Sequence, residues 1–210
     1  MTTSGCRCPA GSAGNDGGQW LGCAHGHRRR GSGCRHRRLQ PVNGIRIVGI
    51  DGPSGSGKSH LARSLSEALG APVIEIDDFV SWENFAGWWP RFEAQVLTPL
   101  LHGEAAVYQA RDWADWYGDT LGEWKTQPWT PIMIIEGVTC TRRETVGRLA
   151  YAIWVEAPAP MRLARGLARE GAQPGAERLW REWMTEEERF FSSDGTRERA
   201  DLIIDTARHG

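Results

Sequence analysis

Lysine is almost missing from this chain: of 210 residues only Lys58 and Lys125 are lysines, and arginine supplies nearly all the positive charge. A lone compact ammonium among guanidinium groups marks a position that needs a point charge on an anion rather than a planar fork. Long apolar runs are missing as well. No segment is long enough to cross a bilayer, and the N-terminus lacks the apolar stretch of a secretory signal, so the expected setting is cytoplasmic, with no membrane partner. Cysteine is scarce after residue 44, where Cys140 stands alone. A disulfide framework is therefore excluded for the main part of the chain, and in a reducing compartment the thiols are free or metal-bound.

Residues 1–44 differ from the rest. They hold seven Arg and one Asp, a charge of +6 against a total of −1 for the chain, together with Cys6, Cys8, Cys23, Cys34 and three histidines. Glycine is frequent and aliphatic periodicity absent, so the segment cannot bury enough apolar surface to offset its ordering entropy, and a disordered extension is expected. Its Cys/His spacing follows no common structural zinc pattern. The arginine runs are a solvated face, and nucleic acid is not an expected partner.

What the chain does have is Gly52-Pro53-Ser54-Gly55-Ser56-Gly57-Lys58-Ser59, a complete G-x-x-x-x-G-K-S run between a β-branched segment and a helical pattern. Glycines let successive N–H groups turn inward toward phosphate oxygens at the positive end of the following helix. Gly52, Ser54, Gly55, Ser56, Gly57, Lys58, Ser59 and His60 are the expected nucleotide-binding residues. Lys58 would reach the β- and γ-phosphates and the Ser59 hydroxyl would hold Mg²⁺.

From residue 45 onward, short apolar runs alternate with helical patterns, which predicts an α/β domain over 45–210 with a five-stranded parallel sheet covered by helices on both faces. The expected strands are 45–51, 73–77, 132–136, 152–156 and 202–205. Helices are expected over 58–69, 159–170 and 175–191, with a short lid at the glycine- and proline-containing segment 171–175. The strand segments tend to end on acidic residues that have no place in a core, and in an open α/β sheet that edge is where ligands bind. Between about 80 and 130, tryptophans are scattered among Gly, Pro, Asp and Tyr, which predicts an insertion over the same edge.

Asp77 is expected to end the second strand, where a carboxylate can take a proton from an acceptor hydroxyl; Asp78 is expected to cap a turn. Glu136 ends the run Ile132-Met133-Ile134-Ile135, the place of a carboxylate that holds Mg²⁺ directly or through water. Arg162, Arg165 and Arg169 share one helical face and could clamp a migrating phosphoryl group or simply be solvated. Tyr108, Arg111, Asp112 and Trp113 form a candidate acceptor pocket, able to stack on one side and hydrogen-bond on the other.

With these residues in place, the chain resembles the uridine kinase and phosphoribulokinase branch of the P-loop kinases over about 45–206. The resemblance is carried by the phosphate loop, by Asp77-Asp78-Phe79, by Glu136-Gly137, by Arg162-Leu163-Ala164-Arg165 with Arg169-Glu170, and by Arg199-Ala200-Asp201-Leu202-Ile203-Ile204. It implies a P-loop NTPase fold and ATP with Mg²⁺ as cofactors. It also implies Asp77 as general base, Ser59 and Glu136 as the magnesium residues, and Arg165 and Arg169 as lid cations. Val80 stands where the family has Tyr, segment 108–113 only loosely resembles its nucleoside-binding element, and a histidine expected after it is missing. Phosphorylation of a small hydroxyl compound is thus better supported than phosphorylation of uridine itself. A nucleotide, sugar or antibiotic hydroxyl and a nucleotide-dependent switch are the alternatives.

Overall fold

In a computed structural model, residues 39–115, 118–170 and 175–208 are described. The expected extension, up to residue 38, and most of the expected lid, 171–174, lie outside them. Residues 39–44 belong with the domain: the Arg46 guanidinium donates to the Leu39 carbonyl at 3.0 Å, Leu39 packs against the core, and Val42 bridges to Ile45.

Five parallel strands form the sheet, in the order β2 (Val73–Glu75), β5 (Ile132–Glu136), β1 (Arg46–Asp51), β6 (Tyr151–Glu156) and β7 (Leu202–Asp205). In the inner strands β5, β1 and β6 the side chains are largely apolar on both faces because both faces are covered, whereas in the edge strand β7 Leu202 and Ile203 are exposed. On one face Val48, Ile50, Ile134 and Val155 pack with Ala62, Leu61 and Leu65 of helix α1 (Lys58–Leu69). On the other, Ile47, Ile74, Met133 and Ile135 meet Phe92, Leu97 and Leu100, which come from α2 (Trp89–Phe92), a π-helical stretch (Glu93–Leu97) and α3 (Thr98–Leu101) in direct succession.

The interval from 80 to 130 is more regular than its scattered tryptophans suggest. After these helices it forms an antiparallel hairpin, β3 (Ala106–Arg111) and β4 (Leu121–Gln127). In β3 buried Ala106, Tyr108 and Ala110 alternate with the less buried Val107 and Gln109, but apolar Val107 on the outward face hides this period from the sequence. Helices α4 (Ala159–Glu170), α5 (Ala176–Asp194) and α6 (Thr196–Arg199) follow β6. Gly166 on α4 leaves room for the Trp180 ring of α5, since a Cβ there would lie 2.3 Å from it. Among the described residues no helix is long and apolar enough to cross a membrane.

Candidate active site

The loop after β1 wraps the start of α1, where the first-turn N–H groups of a helix have no acceptor within it. Two glycines are required by space. Gly52 has φ 140° and a Cβ on it would lie 2.0 Å from the Val155 carbonyl oxygen; Gly55 has φ 75° and a Cβ would lie 2.5 Å from the Arg162 carbonyl oxygen. Neighbouring elements brace the loop. Arg165 donates to the Gly55 carbonyl at 3.1 Å and to the Thr206 hydroxyl at 3.2 Å, while that hydroxyl donates to the Ser56 carbonyl at 2.7 Å.

Asp51 departs from the expectation that strand-end acids face a ligand. It is fully buried, and its carboxylate accepts from the N–H groups of Gly52, Thr139 and Thr141 at 2.7–2.8 Å and engages the Thr141 hydroxyl at 3.0 Å. It therefore ties the start of the phosphate loop to the segment after β5. Burial pushes its pKa up to about 6, against the lowering effects of those hydrogen bonds and the Lys58 charge.

The C-terminal edge of the sheet opens into a cavity of about 550 Å³. Lys58, Ser59, Asp77, Glu136, Arg165 and Arg169 all line it. Ser54, Gly55, Gly57, His60 and Trp113 line it too, whereas Gly52 and Ser56 sit behind the lining. Lys58 is largely buried, and its ammonium donates to the Pro53 carbonyl at 3.2 Å. The Ser59 hydroxyl donates to Glu136 Oε1 at 2.8 Å. Glu136 Oε2 is buried and has no hydrogen-bond partner among the described residues, and burial raises the carboxyl's pKa, offset in part by Lys58 and Ser59.

A hydroxyl beside a buried carboxylate with one orphaned oxygen is a hard-oxygen donor set, which suits Mg²⁺ completed by phosphate oxygens and water. Among the described residues no group of three His, Cys, Asp or Glu is placed to hold a metal by itself. Ser59 and Glu136 thus fit Mg²⁺ brought in with a nucleotide.

Asp77 does not end a strand. β2 stops at Glu75, and Ile76–Asp78 form a 3₁₀ turn that lifts Asp77 to the cavity wall. The insertion holds that turn. Trp113 donates its indole N–H to the Asp77 carbonyl at 3.1 Å, and its ring lies 3.8 Å from the Arg111 guanidinium carbon. Arg91 donates to the carbonyls of Asp78 and Gln109. Asp78 is more than a turn cap: its carboxylate receives Lys125 of β4 at 2.8 Å and the Tyr108 hydroxyl at 3.1 Å.

Of the expected acceptor residues, then, Asp77 and Trp113 reach the cavity, while three stand behind its wall. Tyr108 is buried against Phe79, ring centroids 5.0 Å apart, and burial raises its phenol pKa. Arg111 donates to the carbonyls of Asp115 and Gly118 at 2.9 Å, and Asp112 caps the Ala114 N–H.

Sequence reasoning missed Trp82, Trp180, Trp183, Lys125 and Glu187. Trp82, Trp180 and Trp183 line the cavity, and Trp183 meets Trp82 edge-on at 5.1 Å. Trp180, Trp183 and Glu187 lie at i, i+3 and i+7, one face of α5, which was the available signal. Glu187 is almost wholly buried and pairs with Arg162 at 3.0 Å. Arg162 is therefore engaged behind the phosphate loop, in contrast to Arg165 and Arg169 on the cavity wall.

Sheet order, loop and strand-end carboxylate together define a P-loop NTPase fold. Among solved structures, a protein from Bacillus stearothermophilus described as a possible uridine kinase is 20% identical, with a TM-score of 0.55, over 77% of this chain and 89% of that one. A provisionally named fructose transport system kinase from Silicibacter sp. TM1040 is 24% identical, with a TM-score of 0.58, over 78% and 90%. The expected resemblance is met at the level of the fold. No family model matches the chain, and no curated protein matches it in sequence.

Proposed function

We propose that the chain is an ATP-dependent phosphotransferase of uridine kinase-like type that moves the γ-phosphoryl group of ATP to a hydroxyl of a small molecule. The observation that carries the reading is the cavity in which the phosphate loop, Lys58, Asp77 and Glu136 converge. Such a reaction needs positioning and charge neutralisation more than covalent catalysis.

In this reading Lys58 and the loop N–H groups not taken by Asp51, Glu187 and the Pro53 carbonyl hold the phosphates, and Arg165 and Arg169 offset charge on the transferred group. Asp77 accepts the acceptor's hydroxyl proton as the oxygen bonds to the γ-phosphorus and the bond to the β-γ bridging oxygen breaks, leaving ADP. Ser59 and Glu136 would hold Mg²⁺, which when bound neutralises phosphate charge. The aromatic wall of Trp82, Trp113 and Trp183 excludes water, the competing acceptor. A cytoplasmic setting, where ATP is plentiful, goes with this reading.

The test is a phosphate-transfer screen with Mg²⁺–ATP against nucleosides, sugars and amino alcohols. The expected result is a phosphorylated product from at least one class with stoichiometric ADP. Failure of the protein to bind ATP would overturn the reading.

A further inference from the structure

We infer that Glu187 is a positioning residue that couples the phosphate loop to the aromatic wall of the acceptor cavity, an inference that rests on the phosphotransferase reading. One carboxylate oxygen, Oε1, accepts from the Ser54 N–H at 2.7 Å and from the Trp183 indole N–H at 2.9 Å. The same indole N–H lies 3.0 Å from the Ser54 hydroxyl. The other oxygen receives Arg162 of α4 at 3.0 Å, and Arg162 also donates to the Ser54 carbonyl at 3.3 Å. Ser54 is thus held on both its backbone groups and its side chain.

A carboxylate 1% exposed is a costly way to pack a helix, because a buried ion pair often stabilises no more than an apolar replacement of similar volume. Its placement explains it better than packing does. Ser54 belongs to the loop that would receive the phosphates, and Trp183, with Trp82 against it, walls the space for the acceptor. Because one oxygen serves both N–H groups, a shift at the loop alters the hydrogen bond that orients the wall. A polyphosphate seated on the loop draws on its N–H groups and adds negative charge near Oε1, where the low dielectric strengthens the effect. Glu187 passes that change to Trp183 and Trp82, so the wall takes its working position when the loop is filled.

The probe is the β,γ-imido analogue of ATP with Mg²⁺. The readouts are its Kd and the Trp183 fluorescence response, taken as the difference between each protein and its W183F counterpart. Wild type is expected to bind and to show a Trp183 response. E187Q keeps a reduced response, since an amide oxygen still accepts both N–H groups while its NH₂ meets the Arg162 guanidinium in place of a carboxylate oxygen, whereas E187A loses it and weakens analogue binding roughly tenfold. Should E187A fail to fold by circular dichroism, E187M, of similar length but without an acceptor, is expected to lose the response in its place. A response that persists in E187A or E187M overturns the inference, as does its complete loss in E187Q. A wild type that binds the analogue with Trp183 silent sinks the coupling alone. A wild type that does not bind sinks the phosphotransferase reading as well.

Discussion

The two walls of the cavity are built by different physics. On the side proposed for the phosphates the structure is backbone: glycines at Gly52 and Gly55 admit carbonyls within reach of a missing Cβ, and the N–H groups of Gly52, Ser54 and Ser56 are fixed on Asp51, Glu187 and the Pro53 carbonyl. On the side proposed for the acceptor it is side chain: Trp113 packs over Arg111, Trp82 and Trp183 pack edge-on, and the indole N–H of Trp113 donates to the Asp77 carbonyl while that of Trp183 is shared between Glu187 and Ser54. Backbone cradles tolerate little, because the atoms cannot move without moving the chain, whereas an aromatic wall loses affinity gradually as contacts are removed. Substitutions on the phosphate side should therefore be near all-or-none, and those on the acceptor side graded.

The largest effect is expected from Lys58→Ala, which removes the ammonium from the phosphates. Turnover should fall by on the order of 10³ or more, as for loss of a principal transition-state cation, with the fold intact. Normal turnover in the folded variant would remove the contrast between the walls altogether. Asp77→Asn should lower kcat by roughly 10² to 10⁴ while leaving the Kd of ATP nearly unchanged. An equal loss of nucleotide affinity would make Asp77 part of the phosphate side.

Asp51 tests the rigidity of that side through pH. Its folded pKa of about 6 lies above its ordinary value, so the folded state binds the proton more tightly than the unfolded chain. The stability this contributes is complete below about pH 4 and is lost as pH rises through 6, a difference of about 3 kcal/mol. Denaturant unfolding across pH 4 to 7 should show stability falling more steeply in the wild type than in Asp51→Asn, the difference between the two profiles being this contribution. That variant should also be less stable throughout, because its amide turns an N–H toward the donors of Thr141 or Gly52.

Smaller effects belong to the acceptor wall. Trp113→Ala should raise the acceptor KM by roughly tenfold, since one stacked ring and the hydrogen bond to the Asp77 carbonyl are lost, without altering the Kd of ATP. Lys125→Met leaves Asp78 with the Tyr108 hydroxyl alone. Because Lys125 is 41% exposed, the stability loss should stay near 1 kcal/mol, with a few-fold change in acceptor KM. If either substitution abolishes turnover, the acceptor wall is as unforgiving as the cradle and the comparison fails.

Much of the scaffold was legible in the residues alone. The parallel strands, both ends of α1 and the limits of α4 follow from apolar runs and glycine stops, because these depend on near neighbours along the chain. The phosphate loop was legible for the same reason, its conformation being set by eight consecutive residues. Glu136 followed from its place at the end of an apolar strand. Asp77 was found in the right neighbourhood with the wrong local geometry, since a turn and a strand end look alike when the next residues are Asp78 and Phe79.

Tertiary structure alone decided the partners. Glu187 meets Ser54 across 133 residues, Asp51 meets Thr141 across 90, and Lys125 meets Asp78 across 47. The run Glu186-Glu187-Glu188 does not by itself distinguish the one buried carboxylate; its spacing from Trp180 and Trp183 puts Glu187 on their face, but only the fold decides that this face of α5 packs against the loop. The same holds for Arg162 behind the loop and Arg165 and Arg169 in front of it. Local sequence sets the backbone of the phosphate cradle, while side-chain partnerships arise only when topology and register bring distant elements together and burial makes an unpaired charge costly.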